Sequence, residues 1–242
     1  MSETLEQTLK EFTEAIKRIY GENLLSLILY GSAASDEYVE SKSNINVLIL
    51  LKEVTPDELR KCSGQLPQWH KQRISTPLFI DPPYVRSSVD VFPIEFLDMK
   101  QRYRLLFGQD FLQPLELKRD RLLLQCEQEL KGKMLRLRQL YLEASQTNNK
   151  LVSLLTKTTT SFMVLFRALL HLQRFPIPNS AEKIFASLSQ LGLSTQGIAK
   201  VYDLRRTDKT PSQAEIDSLF REYLTEIQAT VEFVDKMSIE QT

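Results

Sequence analysis

Four residues between positions 31 and 46 are the first candidates for a functional site. Gly31 and Ser32 follow one apolar run, and Asn44 and Asn46 open the next. A glycine after a strand lets the backbone approach a ligand closely, and exposed N–H groups with a serine hydroxyl can hold phosphate oxygens. Residues two apart in a strand project from one face, so the two asparagines are expected to share a face. The pattern predicts either a phosphate-binding turn beside two amides or an ordinary turn.

These residues resemble the signature of the nucleotidyltransferase superfamily, which includes DNA polymerase beta, kanamycin nucleotidyltransferase and the minimal nucleotidyltransferases. That signature is a Gly-Ser turn after a strand, an intervening loop, and Asp-x-Asp at the start of the next strand. Here it reads Gly31-Ser32, a loop, and Asn44-Ile45-Asn46. The resemblance covers roughly residues 10 to 110 and implies that the Gly-Ser turn binds a nucleotide.

The resemblance also implies a third carboxylate from a later strand. Glu95 is the best match, with Asp90 and Asp98 as neighbouring alternatives. Glu95 lies in Val91–Leu97, which is interpreted as a strand, and Pro93 within it favours an edge position or a bulge. In the superfamily the carboxylates bind two Mg²⁺ ions, which hold the triphosphate and activate the acceptor hydroxyl.

Asparagine at both positions of the paired carboxylates changes the expected chemistry. Magnesium relies on anionic oxygen ligands, whereas asparagine offers an uncharged carbonyl oxygen and has no usable pKa for general-base work. Each lost contact between a carboxylate and Mg²⁺ removes several kcal/mol, even at an effective dielectric constant of about 20. We therefore expect a catalytically impaired pseudoenzyme, for which Mg²⁺ is a cofactor only if activity persists.

The loss of the carboxylates leaves several functions open. The domain is either a decayed scaffold, with a structural or antitoxin-like role in binding a protein partner, or it still binds an NTP or another phosphorylated small molecule. In the second case the amides of Asn44 and Asn46 donate to phosphate oxygens without metal, and Lys42 or an arginine of the C-terminal helices supplies charge. An active Mg²⁺-dependent enzyme that moves NMP from an NTP to a small molecule or a protein is the third possibility.

Other charged residues have simpler interpretations. Three acids in the loop between the motif halves have the spacing of a short solvated helix; they are Asp36, Glu37 and Glu40. Asp81 precedes two prolines and has the position of a helix N-cap. Arg102 and Arg104 belong to scattered basic residues that either form a solvated face or border a cleft. Arg167 and His171 are four apart on a helix, closer than the Arg and His of helical RNases, and hydrogen bonds within a helical bundle explain them better.

The predicted secondary structure differs before and after residue 115. Before it, helix and strand alternate, and the strands are predicted at Leu24–Tyr30, Ile45–Leu51 and Thr76–Ile80, besides the segment of Glu95. After Pro114 every periodic segment is helical. We predict an α+β nucleotidyltransferase-like domain over residues 1–114, with a small mixed sheet and flanking helices, and an all-α helical bundle over residues 115–242.

Composition narrows the class of protein. The 242 residues carry 31 basic and 31 acidic side chains, so a strongly basic nucleic-acid binder is excluded. The most apolar stretch, residues 151–172, contains Lys157 and Arg167 and is better read as a buried helix than as a membrane span. Two distant cysteines and an acidic amphipathic N-terminus predict a cytoplasmic protein. Kanamycin-modifying members of the superfamily dimerise, so the resemblance also implies a homodimer as one option.

Overall fold

Two compact units make up the chain, residues 1–117 and residues 118–242. The computed structural model describes residues 3–35, 38, 43–205 and 211–237.

The first unit alternates helices and short strands. Its elements are α1 (Glu3–Tyr20), β1 (Leu24–Tyr30), a 3₁₀ turn (Gly31–Ala34), β2 (Asn46–Leu51), α2 (Pro56–Ser63), α3 (Leu66–Lys71), β3 (Leu78–Ile80), α4 (Pro82–Ser88), α5 (Pro93–Gln101) and β4 (Tyr103–Gly108). The predicted first two strands are confirmed to within one residue. Thr55 caps α2, since its hydroxyl accepts from the Glu58 amide at 3.2 Å.

The four strands form one mixed sheet in the order β3-β2-β1-β4. β1 pairs antiparallel with both β2 and β4, whereas β2 and β3 are parallel. Tyr30 at the end of β1 lies opposite Asn46 on one side and Tyr103 on the other. The sheet therefore brings the start of β2, the end of β1 and the start of β4 into one row.

Both faces of the sheet are covered, because β1 is apolar at successive positions. Leu27 and Leu29 pack in a cluster with Phe12 and Ile16 of α1. Ile28 projects to the other face and packs in a cluster with Val85 of α4, Phe96 of α5 and Leu112, which follows β4. Leu27, Ile28 and Leu29 are almost completely buried, as expected for a central strand.

The prediction of a strand at Val91–Leu97 is wrong, because residues Pro93–Gln101 form helix α5. Pro93 stands at the first helical position, where its missing N–H costs nothing. Ile94 and Leu97 are buried three residues apart, which is a helical rather than an alternating spacing. The strand beside β1 is instead β4, which follows α5 after one residue.

Helices make up the described part of the second unit. They are α6 (Arg119–Ala144), α7 (Asn148–Leu172), α8 (Ala181–Gln190), α9 (Gln196–Leu204) and α10 (Gln213–Asp235). α7 packs against each of the other four, and α10 also packs against α6 and α9. None of the helices in the described residues has the length and apolar character needed to cross a membrane.

A buried tyrosine joins α7 to α10. Tyr223 is fully buried, and its hydroxyl lies 3.2 Å from the Thr158 hydroxyl and accepts from the Thr159 hydroxyl at 3.3 Å. Burial raises the pKa of Tyr223 to about 12. The proton is therefore held more tightly in the folded chain than in the unfolded chain, where the pKa is about 10.

We expect Tyr223→Phe to change how stability depends on alkaline pH. A raised folded pKa contributes stability that is complete below pH ~10 and is lost as pH rises towards ~12, at about 1.4 kcal/mol per pH unit. The variant should lose about 1 kcal/mol below pH ~10, because its hydrogen bonds are gone, and its stability should fall less steeply above that pH. Urea denaturation between pH 8 and 12 measures both effects, and equal slopes for the two proteins would contradict the prediction.

The buried carboxylate of Glu226 holds the start of α9 against α10. One oxygen accepts from the Ser194 hydroxyl at 2.7 Å and from the Gly197 amide at 3.1 Å, and the other accepts from the Ile198 amide at 2.9 Å. A Cβ on Gly197 would lie 2.8 Å from Glu222 Cγ, so the two helices touch there. The carboxylate satisfies helix-terminal N–H groups that would otherwise be buried without acceptors.

Glu226→Gln should lower the free energy of unfolding by about 1–3 kcal/mol, because an amide group replaces one of the accepting oxygens. Glu222→Gln is the matched control on the same helix, since Glu222 pairs with Lys200 on the surface and should cost less than about 1 kcal/mol. Chemical denaturation of both variants measures the difference. Equal losses would show that the buried position is unimportant.

Candidate functional site

The turn after β1 has the backbone conformation that the sequence predicts for a close approach. Gly31 has a φ of 79°, in the left-handed region that favours glycine. Its amide donates to the Arg102 carbonyl at 2.9 Å. Ser32 is half-buried in the 3₁₀ turn, and its carbonyl accepts from both the amide and the hydroxyl of Ser35 at 3.1 Å.

The structure brings Asn46 to this turn. A Cβ built on Gly31 would lie 3.3 Å from Asn46 Nδ2, so the amide borders the space that the absent side chain leaves. Asn46 is half-buried and Asn44 is exposed. Lys42 and the loop acids lie outside the described residues; those acids are Asp36, Glu37 and Glu40.

Glu95 does not lie on a strand, contrary to the prediction. It is an exposed residue in the first turn of α5, and Asp90 is exposed in the turn before that helix. The strands that follow β2 along the chain, β3 and β4, contain no acidic residue. Asp98 lies one helical turn after Glu95 in α5 and, unlike Glu95, is half-buried.

Asp98 forms an ion pair with Arg102 at the end of α5. Its two carboxylate oxygens accept from Arg102 Nη2 at 2.8 and 2.9 Å, and the side chains are only 20% and 11% exposed. Burial and the negative charge of Asp98 raise the pKa of Tyr30, which places the carboxylate near the end of β1. The low exposure of Arg102 disagrees with the first of the two predictions made for it, a solvated face, and leaves the second, the border of a cleft, a prediction.

A second polar contact lies across the row from Asn46. The Tyr103 hydroxyl donates to Asp110 Oδ2 at 2.7 Å, and Asp110 Oδ1 accepts from the amides of Leu112 and Gln113. Burial, and then the hydrogen bond to Asp110, raise the pKa of Tyr103 to about 12. Both oxygens of Asp110 therefore accept hydrogen bonds from β4 or from the segment that follows it.

These donors do not fit two Mg²⁺ ions. Asn44 and Asn46 contribute uncharged oxygens, and the carboxylate of Asp98 already accepts from Arg102. In the part of the chain that the structure describes, no group of three or more His, Cys, Asp or Glu side chains is placed to hold a metal ion. Hard divalent cations need several anionic oxygens around one point. Asn44, Asn46 and Asp98 do not supply such a set.

Two other predictions concern residues outside this turn. Asp81 caps α4, as predicted, since its carboxylate accepts from the Tyr84 amide at 2.8 Å. Arg167 is buried within α7, whereas His171 in its last turn is exposed. The different exposures of Arg167 and His171 do not suggest a shared reaction centre, and a structural role for them stays a prediction.

Gly31→Ala should destabilise the protein more than Gly21→Ala. Both glycines have positive φ, but a Cβ on Gly21 meets nothing within 4 Å. The control should therefore lose about 1–2 kcal/mol for backbone strain alone, and Gly31→Ala should lose about 1 kcal/mol more because Asn46 must move. Chemical denaturation and the side-chain amide resonances of Asn46 test this. Unchanged Asn46 resonances in Gly31→Ala would contradict the contact.

No protein-family model matches this sequence, and no curated protein matches it significantly. Among solved structures, the chain is similar to spectinomycin adenyltransferase AAD(9) from Enterococcus faecialis, solved with ATP and spectinomycin. The TM-score is 0.54 at 8% sequence identity, and the similarity covers 92% of this chain and 99% of the adenyltransferase. At this identity the similarity concerns the fold alone, so the chain shares the fold of this adenyltransferase.

Proposed function

We propose that this protein is a catalytically impaired nucleotidyltransferase-like protein that binds a nucleotide or another phosphorylated ligand without metal. The observation that carries the proposal is the contact of the Asn46 amide with Gly31. That proximity places a side-chain donor beside the turn that contains the half-buried Ser32. The fold shared with an adenyltransferase that was solved with ATP supports a nucleotide as the ligand.

Asparagine suits an anionic ligand when no metal stands between them. At about 4 Å and an effective dielectric constant of about 20, two like unit charges repel by roughly 4 kcal/mol. A carboxylate at position 46 would therefore repel a phosphate oxygen, whereas an amide N–H donates to it. The hydroxyl of Ser32 is the further donor that we assign to the ligand.

Loss of transfer activity follows from the same residues. Transfer requires that an acceptor hydroxyl lose its proton as it attacks the phosphorus, and a carboxylate or a metal ion normally assists. Asn44 and Asn46 cannot take up that proton at neutral pH. Glu95, our predicted third carboxylate, lies exposed on α5, so we propose binding rather than catalysis.

The proposal also includes the two domains, a further cation, the location and the assembly of the chain. We propose that residues 1–114 are the nucleotide-binding domain and that residues 115–242 form a helical bundle, in which the choice of any second ligand lies. Lys42 is proposed as an additional cation for the phosphates. A cytoplasmic location and a homodimer belong to the same proposal.

Binding should not depend on metal. We expect ATP, GTP, CTP or UTP to raise the melting temperature equally in EDTA and in Mg²⁺. At about 100 times its dissociation constant a ligand adds about 2.7 kcal/mol, which corresponds to several degrees. Asn46→Asp should abolish the shift in EDTA, whereas Asn149→Asp, the same change at an exposed position of α7, should leave it unchanged.

Three results would contradict this expectation. A shift that requires Mg²⁺ would favour the active transferase. No shift with any nucleotide would favour the scaffold or the protein partner. Equal effects of Asn46→Asp and Asn149→Asp would show that the ligand binds away from the Gly31 turn.

A further inference from the structure

We propose that Arg102 is the cation that binds the phosphates at this site, and that Asp98 holds Arg102 in place until a polyphosphate chain replaces it. This inference rests on the proposed function and adds to it the class of ligand, a chain of two or three phosphates. It also assigns the positive charge to a residue of the first unit, within the described part of the chain.

Backbone contacts fix Arg102 beside the turn. Its carbonyl accepts from the Gly31 amide at 2.9 Å, and the next residue, Tyr103, pairs with Tyr30 at the end of β1. Any movement of Arg102 along the sheet would break both interactions. The guanidinium therefore begins from a backbone position that is fixed relative to Gly31.

The ion pair and Asn46 lie on the same face of the sheet. Tyr30 lies directly opposite Asn46, and opposite residues of an antiparallel pair project to one face. On that face Tyr30 packs against the apolar cluster that contains Phe96, and Met99 of α5 packs against the same cluster. Asp98 is the residue before Met99 in α5, and its negative charge adds to the effect of burial in raising the pKa of Tyr30. We therefore place the ion pair on the face of the sheet that α5 covers.

Exchange of Asp98 for a phosphate keeps the guanidinium paired throughout. Arg102 is 11% exposed, and a cation with so little access to water is costly without an anion beside it. A phosphate offers the guanidinium several oxygens at once and more negative charge than one carboxylate. Asp98 is more exposed, at 20%, and can turn towards water when it is displaced.

The spacing of the strands selects the length of the ligand. Asn46 on β2 and Tyr103 on β4 flank β1 on opposite sides, so their backbones are two strand spacings apart, roughly 10 Å. One phosphate is too small to reach the amide of Asn46 and the neighbourhood of Arg102 together. A diphosphate or triphosphate chain is long enough to contact both.

A second arginine, two residues further along the chain in β4, forms an ion pair that provides a matched control. Arg104 Nη1 lies 2.6 Å from Glu6 Oε1 of α1, and α1 packs on the opposite face of the sheet from α5. Arg104→Gln and Arg102→Gln therefore remove the same charge from β4 or its boundary. Only the second change affects the face of Asn46.

The test is calorimetric titration of the full chain with inorganic triphosphate and with ATP, both in EDTA. Arg102→Gln should weaken triphosphate binding by about tenfold or more, and Asp98→Asn should tighten it severalfold because no carboxylate competes for Arg102. Arg104→Gln and Glu6→Gln should change it by less than about twofold. Inorganic monophosphate should bind the unmodified protein at least about tenfold more weakly than triphosphate.

Each outcome decides between the two proposals. Nucleotide binding that survives Arg102→Gln, or that Arg104→Gln weakens equally, overturns the role of Arg102 and leaves the proposed function standing. Absence of triphosphate and ATP binding in the unmodified protein overturns the proposed function, and the role of Arg102 with it. If Arg102→Gln does not fold, Asp98→Asn decides, because unchanged or weaker binding in that variant contradicts the exchange.

Discussion

The hydrogen bond from the Gly31 amide to the Arg102 carbonyl joins the end of β1 to the start of β4, and the geometry of the site follows from it. β1 has a partner on each side, so the chain that leaves it must turn away within one residue. Glycine adopts the necessary φ of 79° without strain. The same missing side chain leaves the space beside which the Asn46 amide lies. One backbone constraint thus fixes the turn, the asparagine and the residue that carries the guanidinium.

The features that the sequence predicts well are those that depend on neighbours in the chain. β1 and β2 are apolar runs with turn residues at their ends, and their burial on both faces requires that pattern. The proximity of Gly31 and Asn46 also comes from neighbours in the chain, because both lie at the adjoining ends of consecutive antiparallel strands. Asp81 and Thr55 are N-caps recognised by their spacing from the helix that follows.

Two kinds of feature were not predicted from the sequence. One is whether an apolar segment forms a helix or a strand, and the other is a contact between residues that are distant in the chain. Val91–Leu97 contains apolar residues that fit a strand or a helix, and Pro93 can begin a helix as readily as it can disturb a strand. The pairing of Asp98 with Arg102 has meaning only in a helix, where residues four apart are neighbours. Asp98 and Arg102 are four residues apart in the sequence, but the segment before Asp98 is interpreted there as a strand, so the pair is not predicted. Glu226 reaches amides about 30 residues away, at Gly197 and Ile198, and local spacing carries no sign of this contact.

The balance of charges at the site is compatible with two asparagines beside the Gly31 turn. Asp98 and Arg102 neutralise each other, so the described groups around Asn46 carry little net charge. Two aspartates at the positions of Asn44 and Asn46 would add two negative charges, which a carboxylate-rich site offsets with divalent cations. With asparagines, the attraction for an anion comes from N–H groups and from one arginine whose charge Asp98 already balances. In the complex that we propose, a phosphate replaces the carboxylate of Asp98 beside the same guanidinium, so the binding of an anion requires no metal ligand.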